Sequence, residues 1–172
     1  MNKVISETFL QKGPDFVASC HPDGVILPDR TIHQYGLVVQ YEDTDAGGIV
    51  YHANYLNYGE RARSAFFRAM GVNLSDLLRD TKQGIIIRGV NARYHSPALL
   101  HEAVIVVTRC ETLRRASLRL AQDIIASETG LIFARLLVEG VWVNEKQAPC
   151  RFPDDIQDAI KHLNHTGRVI TD

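Results

Sequence analysis

Three carboxylates, two adjacent glycines and a histidine fall within twelve residues, Tyr41-Glu42-Asp43-Thr44-Asp45-Ala46-Gly47-Gly48-Ile49-Val50-Tyr51-His52. A carboxylate such as Asp45 can act as a nucleophile, or can deprotonate a water that attacks an acyl group. Gly47 and Gly48 let backbone amides approach a substrate closely. Those amides, and the start of a following helix, favour a developing negative charge. His52 can orient a substrate or a water, or assist proton transfer near neutral pH.

The same residues also admit a purely structural role. Asp43 and Asp45 can cap turns, the glycines can serve backbone geometry, and a histidine at a helix start can be a packing residue. Asp43, Asp45 and His52 match no strong metal-ligand spacing. Tyr51, Tyr55 and Tyr58 can line a pocket, although helical spacing reports packing first. Glu60 is a further acid, but Glu60-Arg61 and Arg63 read as surface or subunit-interface ion pairs. His95 and His101 flank Pro97 and read as local caps.

The elements around the loop explain how it would be held. Residues 32 to 41 read as a strand, with Tyr35, Leu37 and Val39 on one face. Residues 54 to 70 read as a helix, because Tyr55, Gly59, Ala62, Phe66 and Ala69 recur at spacings of four and three. Asn54 is its expected N-cap and Gly71 its stop. Gly59 costs helix propensity, by about 1 kcal/mol relative to alanine, and suggests close packing against a sheet. A helical turn over 74 to 79 follows. Strands are predicted over 84–95, 102–112, 115–127 and 131–143, with Gly140 at a bulge or bend. The reversals are Leu113-Arg114-Arg115-Ala116 and Ser127-Glu128-Thr129-Gly130. A terminal helix is expected over 154–163, after Pro153. The class is α+β, with an antiparallel sheet packed on one long helix. Val104 to Val107 is apolar on both faces, which suggests that a second copy of the chain covers the sheet.

With 172 residues the chain suits one domain, and its formal net charge of -1 gives no sign of a nucleic-acid footprint. Residues 1–30 carry closely spaced turn signals and read as an extension, the domain spans 31–165, and 166–172 form a tail. Cys20, Cys110 and Cys150 form neither a disulfide framework nor a zinc pattern, and Cys110 reads as a small buried hydrophobe. No secretory signal or membrane span is visible, so the cytoplasm is the default expectation. A serine-hydrolase elbow, a phosphate-binding Gly-Lys-Ser/Thr loop and a dinucleotide fingerprint are all absent.

The stretch Tyr41 to Tyr55, followed by Glu60-Arg61-Ala62-Arg63, closely resembles the hotdog-fold acyl-CoA thioesterases. The nearest likeness is to the 4-hydroxybenzoyl-CoA thioesterase-like family and its Tol-Pal-associated, YbgC-like subgroup. The likeness runs from about Ile32 to His162. It implies a hotdog fold, a long central helix wrapped by a curved antiparallel five-stranded sheet. It implies an acyl-CoA thioesterase without a cofactor, with Asp45 as nucleophile or general base and His52 supplying the oxyanion amide. Tyr51, Gly47, Gly48 and Tyr55 would line the substrate pocket. Arg88, Arg93, Arg114 and Arg115 are the candidates for the CoA phosphates, since guanidinium groups suit phosphate geometry. The resemblance also implies a homodimer, often a homotetramer, with active sites at the subunit interface. Two other readings share the motif: hydrolysis of acyl-carrier-protein thioesters, and a non-enzymatic module that binds an acyl group or a protein.

Overall fold

The computed structural model describes residues 20–27 and 32–163. Six strands form one antiparallel sheet: β1 (Val25–Ile26), β2 (His33–Val38), β3 (Gly84–Tyr94), β4 (Ala103–Leu113), β5 (Ser117–Ala126) and β6 (Ile132–Val143). Their spatial order is β1-β2-β4-β5-β6-β3. The described residues also form α1 (Asn54–Ala69), α2 (Leu74–Thr81) and α3 (Asp154–Leu163). The hotdog-like α+β class holds, but the expected curved five-stranded sheet is corrected. There are six strands in an open array with β1 and β3 as its two edges. The sixth, β1, lies inside the N-terminal extension and pairs with the start of β2, Val25 opposite Gln34. The rest of that extension, residues 1–19 and 28–30, lies outside the described residues, as do residue 31, the last two residues of the expected domain and the tail over 166–172. No helix among the described residues is long and apolar enough to cross a membrane.

α1 lies across one face of the sheet. Tyr55, Tyr58 and Ala62 join Val104, Val106, Ile124, Phe133, Leu136 and Val138 in the larger core cluster. Phe66 and Phe67 join a second, built with Cys110, Leu120, Trp142 and the α3 residues Ile156 and Ile160. Apolar side chains thus recur along α1 every three or four residues, as its periodicity requires. The helix begins one residue earlier than a capping Asn54 would place it. Ala53 is the N-cap, and Asn54 is the first helical residue.

The closest approach of helix and sheet is at Gly59. A Cβ there would stand 2.6 Å from Leu136 Cδ1 and 3.0 Å from Gln122 Oε1. Gln122 Nε2 donates to the Gly59 carbonyl at 3.0 Å and to Thr108 Oγ1 at 3.1 Å. Arg63 Nη1 donates to Gln122 Oε1 at 2.8 Å, and Arg63 Nη2 donates to Glu60 Oε2 at 2.6 Å. The Glu60–Arg63 ion pair therefore exists, but Arg63 is 8% exposed and is not a surface residue.

Two further expectations change. β6 keeps its register through Gly140, and the irregularity falls instead on β3, between Ile87 and Gly89, opposite Gly140 and Glu139. Gly140 is needed for space, since a Cβ there would meet Ile85 Cδ1 at 2.7 Å. Ile105 and Val107, on the face away from α1, are fully buried within the single chain. Their apolar run therefore gives no argument for a second copy.

β1 is held by a polar clasp. Arg68 Nε donates to Asp23 Oδ1 at 2.6 Å and its Nη2 to the Pro22 carbonyl at 2.7 Å. His33 Nε2 donates to the Asp23 carbonyl at 2.8 Å, and its ring meets Phe66 edge-on. Burial is the main cause that lowers the His33 pKa, and the Arg68 charge adds to it.

Two measurements follow from this packing. Gly59→Ala is expected to destabilise the fold by about 1–3 kcal/mol in urea unfolding, because the added methyl overpacks the helix–sheet contact; an unchanged midpoint would refute that. For His33 the unfolded chain binds a proton that the folded chain excludes, so its contribution is full above about pH 6.5 and is lost as the pH falls further. Urea midpoints taken between pH 7 and 5.5 are expected to fall less in His33→Gln than in the parent chain. Identical slopes would contradict this.

Candidate active site

The loop between β2 and α1 is a small tied hairpin. Thr44 and Val50 form a bridge, and the Asp45 amide donates to the Ile49 carbonyl at 2.9 Å. The Gly48 amide returns to the Asp45 carbonyl at 3.0 Å, closing a three-residue reversal. Gly48 sits at φ +76°, a left-handed conformation that side chains with a Cβ rarely adopt. The hairpin is anchored outward as well. The Val50 amide donates to the Ala98 carbonyl at 2.9 Å, and the Ala98 amide donates to Tyr55 Oη at 3.0 Å.

This geometry separates the two aspartates. Asp43 is buried; its Oδ2 accepts from the Gln40 amide at 2.8 Å, while its carbonyl accepts from the Tyr51 amide and Asn54 Nδ2, each at 2.9 Å. Asp43 thus stitches the loop to the first turn of α1. The Tyr58 hydroxyl is buried nearby, and burial together with the Asp43 charge pushes its pKa above the usual phenol range. Asp45 is exposed at the tip of the hairpin, where its Oδ1 accepts from the Gly47 amide at 2.7 Å.

His52 is exposed one residue before the N-cap. Among the described residues its backbone amide, and that of Ala53, donate to no acceptor. These are free N–H groups at the positive end of a helix, where a developing oxyanion would be stabilised. The His52 ring lies 4.4 Å from that of Tyr51 and 6.2 Å from that of Tyr94. Tyr55 also meets Tyr94, at 5.7 Å. Tyr51 is half-exposed, and Tyr55 is buried, its hydroxyl accepting from the Ala98 amide. Tyr94, from the far end of β3, was not a sequence candidate. Its link to the loop is a long-range contact with no local signal.

The four arginines divide. Arg88 and Arg114 line one groove of about 470 Å³, together with Arg119, Glu139, Ser117 and Thr112. Glu139 pairs with Arg119 at 2.6 Å and with Arg88 at 3.5 Å. Arg93 and Arg115 do not line this groove. Arg93 lies opposite Arg135 in the β3–β6 pairing, and Arg115 is in the β4–β5 turn, its carbonyl accepting from the Phe152 amide. Arg119 was missed, although its alternation with the inward Leu118 and Leu120 would have put it on the outer face. No cluster of three His, Cys, Asp or Glu among the described residues is placed to hold a metal ion.

Residues 39–160 match the family model of the thioesterase-like superfamily. The acyl-CoA thioesterase YbgC of Haemophilus influenzae is 32% identical over 125 residues, which cover 73% of this chain and 91% of that protein. Among solved structures, gentisyl-coenzyme A thioesterase BH1999 is 29% identical with a TM-score of 0.67, over 74% of this chain and 98% of that one. A Bartonella henselae protein described as a probable thioesterase is 31% identical, also with a TM-score of 0.67, over 71% and 99%. The chain therefore belongs to the thioesterase-like superfamily, as a hotdog-fold thioesterase related to the YbgC group.

Proposed function

We propose that this protein hydrolyses an acyl-CoA thioester to the free acid and CoA, with Asp45 as the catalytic carboxylate. The observations that carry this reading are an exposed Asp45 at the hairpin tip and, at the start of the helix that the same loop leads into, backbone amides that find no acceptor among the described residues. A thioester carbonyl bound to the His52 amide would build its negative charge against the helix end. Asp45 would either attack that carbonyl or take a proton from the attacking water. Asp43 cannot share the role, because its carboxylate is buried and committed to the Gln40 amide. Gly47, Gly48, Tyr51 and Tyr55 would shape the mouth around the acyl group, with the His52 imidazole beside it.

The groove at Arg88, Arg114 and Arg119 supports CoA as the carrier, since CoA bears several phosphates and guanidinium groups suit them. We also infer a homodimer through β3. This edge strand is eleven residues long, and Ile86, Ile87, Val90 and Tyr94 along it are large, apolar and exposed. An edge of that length and character invites pairing with a second copy. Antiparallel pairing would bring the partner's copy of the Tyr94 end of β3 toward the Gly84 end of this one, so that each site would lie close to both subunits.

Asp45→Asn is expected to lower kcat for acyl-CoA hydrolysis by about 10²–10⁴-fold while leaving the urea midpoint unchanged. Asp43→Ala is expected to cost about 1–3 kcal/mol of stability through lost buried hydrogen bonds. Turnover at the parent rate by Asp45→Asn would remove Asp45 from the mechanism. Sedimentation should show a dimer for the parent chain, and Val90→Lys should shift it toward monomer. A parent chain that sediments as a monomer at micromolar concentration would sink the edge-pairing proposal.

A further inference from the structure

The face of the sheet away from α1 is covered over part of its area. Val104 and Val106 of β4 pack in the cluster beneath α1, so Ile105 and Val107 point the other way. With Ile125, which pairs with Ile105, they form a separate cluster, and all three are 0% exposed. Gln34, opposite Val107 on β2, is sealed with them at 1% exposure. The cover is local, because farther along β5 on the same face Ala121 is only partly buried and Arg119 is exposed. Side chains stand roughly perpendicular to a sheet, so neighbouring strands shield their flanks but not their tips. Complete burial of three in a group needs a layer above them.

The described helices do not supply that layer. α1, α2 and α3 pack in the clusters of the other face, through Tyr58, Leu74 and Ile156 for example, and the far cluster contains no residue of a described helix. A second copy does not supply it either, since the burial holds within the single chain. Of the residues outside the described ones, 28–31 hold no large apolar side chain except Pro28, and 164–172 offer Val169 and Ile170. Residues 1–19 hold Val4, Ile5, Phe9, Leu10, Phe16 and Val17. They also join the sheet close by. They lead into β1, and the order β1-β2-β4 places Val107 two strands from Val25, about 10 Å away. Nineteen residues reach about 28 Å even at the short rise of a helix.

We propose that the chain's own N-terminal segment, residues 1–19, docks on this face and seats its apolar side chains over Ile105, Val107 and Ile125. The segment supplies the missing layer of the sheet and occupies a surface on which a second subunit would otherwise stack. The homotetramer that the sequence resemblance implies is thereby blocked at this face, and assembly is left to the β3 edge. The cover is independent of the chemistry at Asp45.

Photo-cross-linking of the full chain tests this. p-Benzoylphenylalanine is placed at Phe9 and, separately, at Phe16, and isotope-labelled and unlabelled chains are mixed before irradiation. At least one of the two positions is expected to cross-link within its own chain to peptides that contain Ile105 and Val107 or Ile125. Cross-links to those peptides only between chains would assign the cover to a partner and overturn the proposal. Cross-links only to other surfaces, or none, would overturn it as well. In the full chain carrying both Phe9→Asp and Phe16→Asp, fluorescence of 1-anilinonaphthalene-8-sulfonate is expected to rise about threefold as the apolar face is bared, with far-UV circular dichroism unchanged. Unchanged fluorescence in that folded double variant would count against the cover, and should the variant unfold, the cross-link decides.

Discussion

The structure depends on how closely α1 can approach the sheet. Gly59 allows that approach, because any Cβ at this position would collide with Leu136. The contact is polar as well as tight. Gln122 reaches up from β5 to the Gly59 carbonyl and holds Arg63, which in turn holds Glu60. Each buried donor and acceptor in that chain is matched except Arg63 Nε. Partly buried polar networks are costly when broken, so this one fixes the rotation of the helix about its axis as well as its distance from the sheet.

That placement has consequences at both ends of the helix. At its start, the loop from β2 must return to a fixed point, and Asp43 spends its carboxylate and its carbonyl making that return. Asp45, two residues on, is left at the tip with one oxygen tied to the Gly47 amide. Farther along, α1 leaves a pocket against β3, where Glu60, Arg63 and Ser64 face Ile85 and Ile87. The edge strand thus supplies part of a pocket wall and, on its other side, an unpaired ladder among the described residues, which is why subunit pairing is proposed there.

Much of this was legible in local sequence. The period of apolar residues from Tyr55 to Ala69 sets the helix, and the punctuation at Leu113 to Ala116 and Ser127 to Gly130 sets two hairpins. The polar stretch from Tyr41 to His52 stands out because it interrupts two apolar elements. Other features had no local signal. β1 is two residues long, below the length at which alternation can be seen. Arg63 reads as a surface charge, since its acceptor Gln122 is 59 residues away. Arg88 and Arg114 were grouped with Arg93 and Arg115 by residue type, and only strand register shows which of them share a groove.

The sequence by itself determined the elements, the loop between them, and the set of acids and amides from which a site could be made. These follow from short-range spacing, because helix and strand periods and turn residues act within a few positions. Tertiary structure decided which members of that set are spent on holding the fold. Asp43 and Asp45 are the same residue type two positions apart, and what separates them is burial and the donors that surround each. Burial and donors belong to the packed chain, so the division of labour in the loop emerges only when α1 is seated on the sheet.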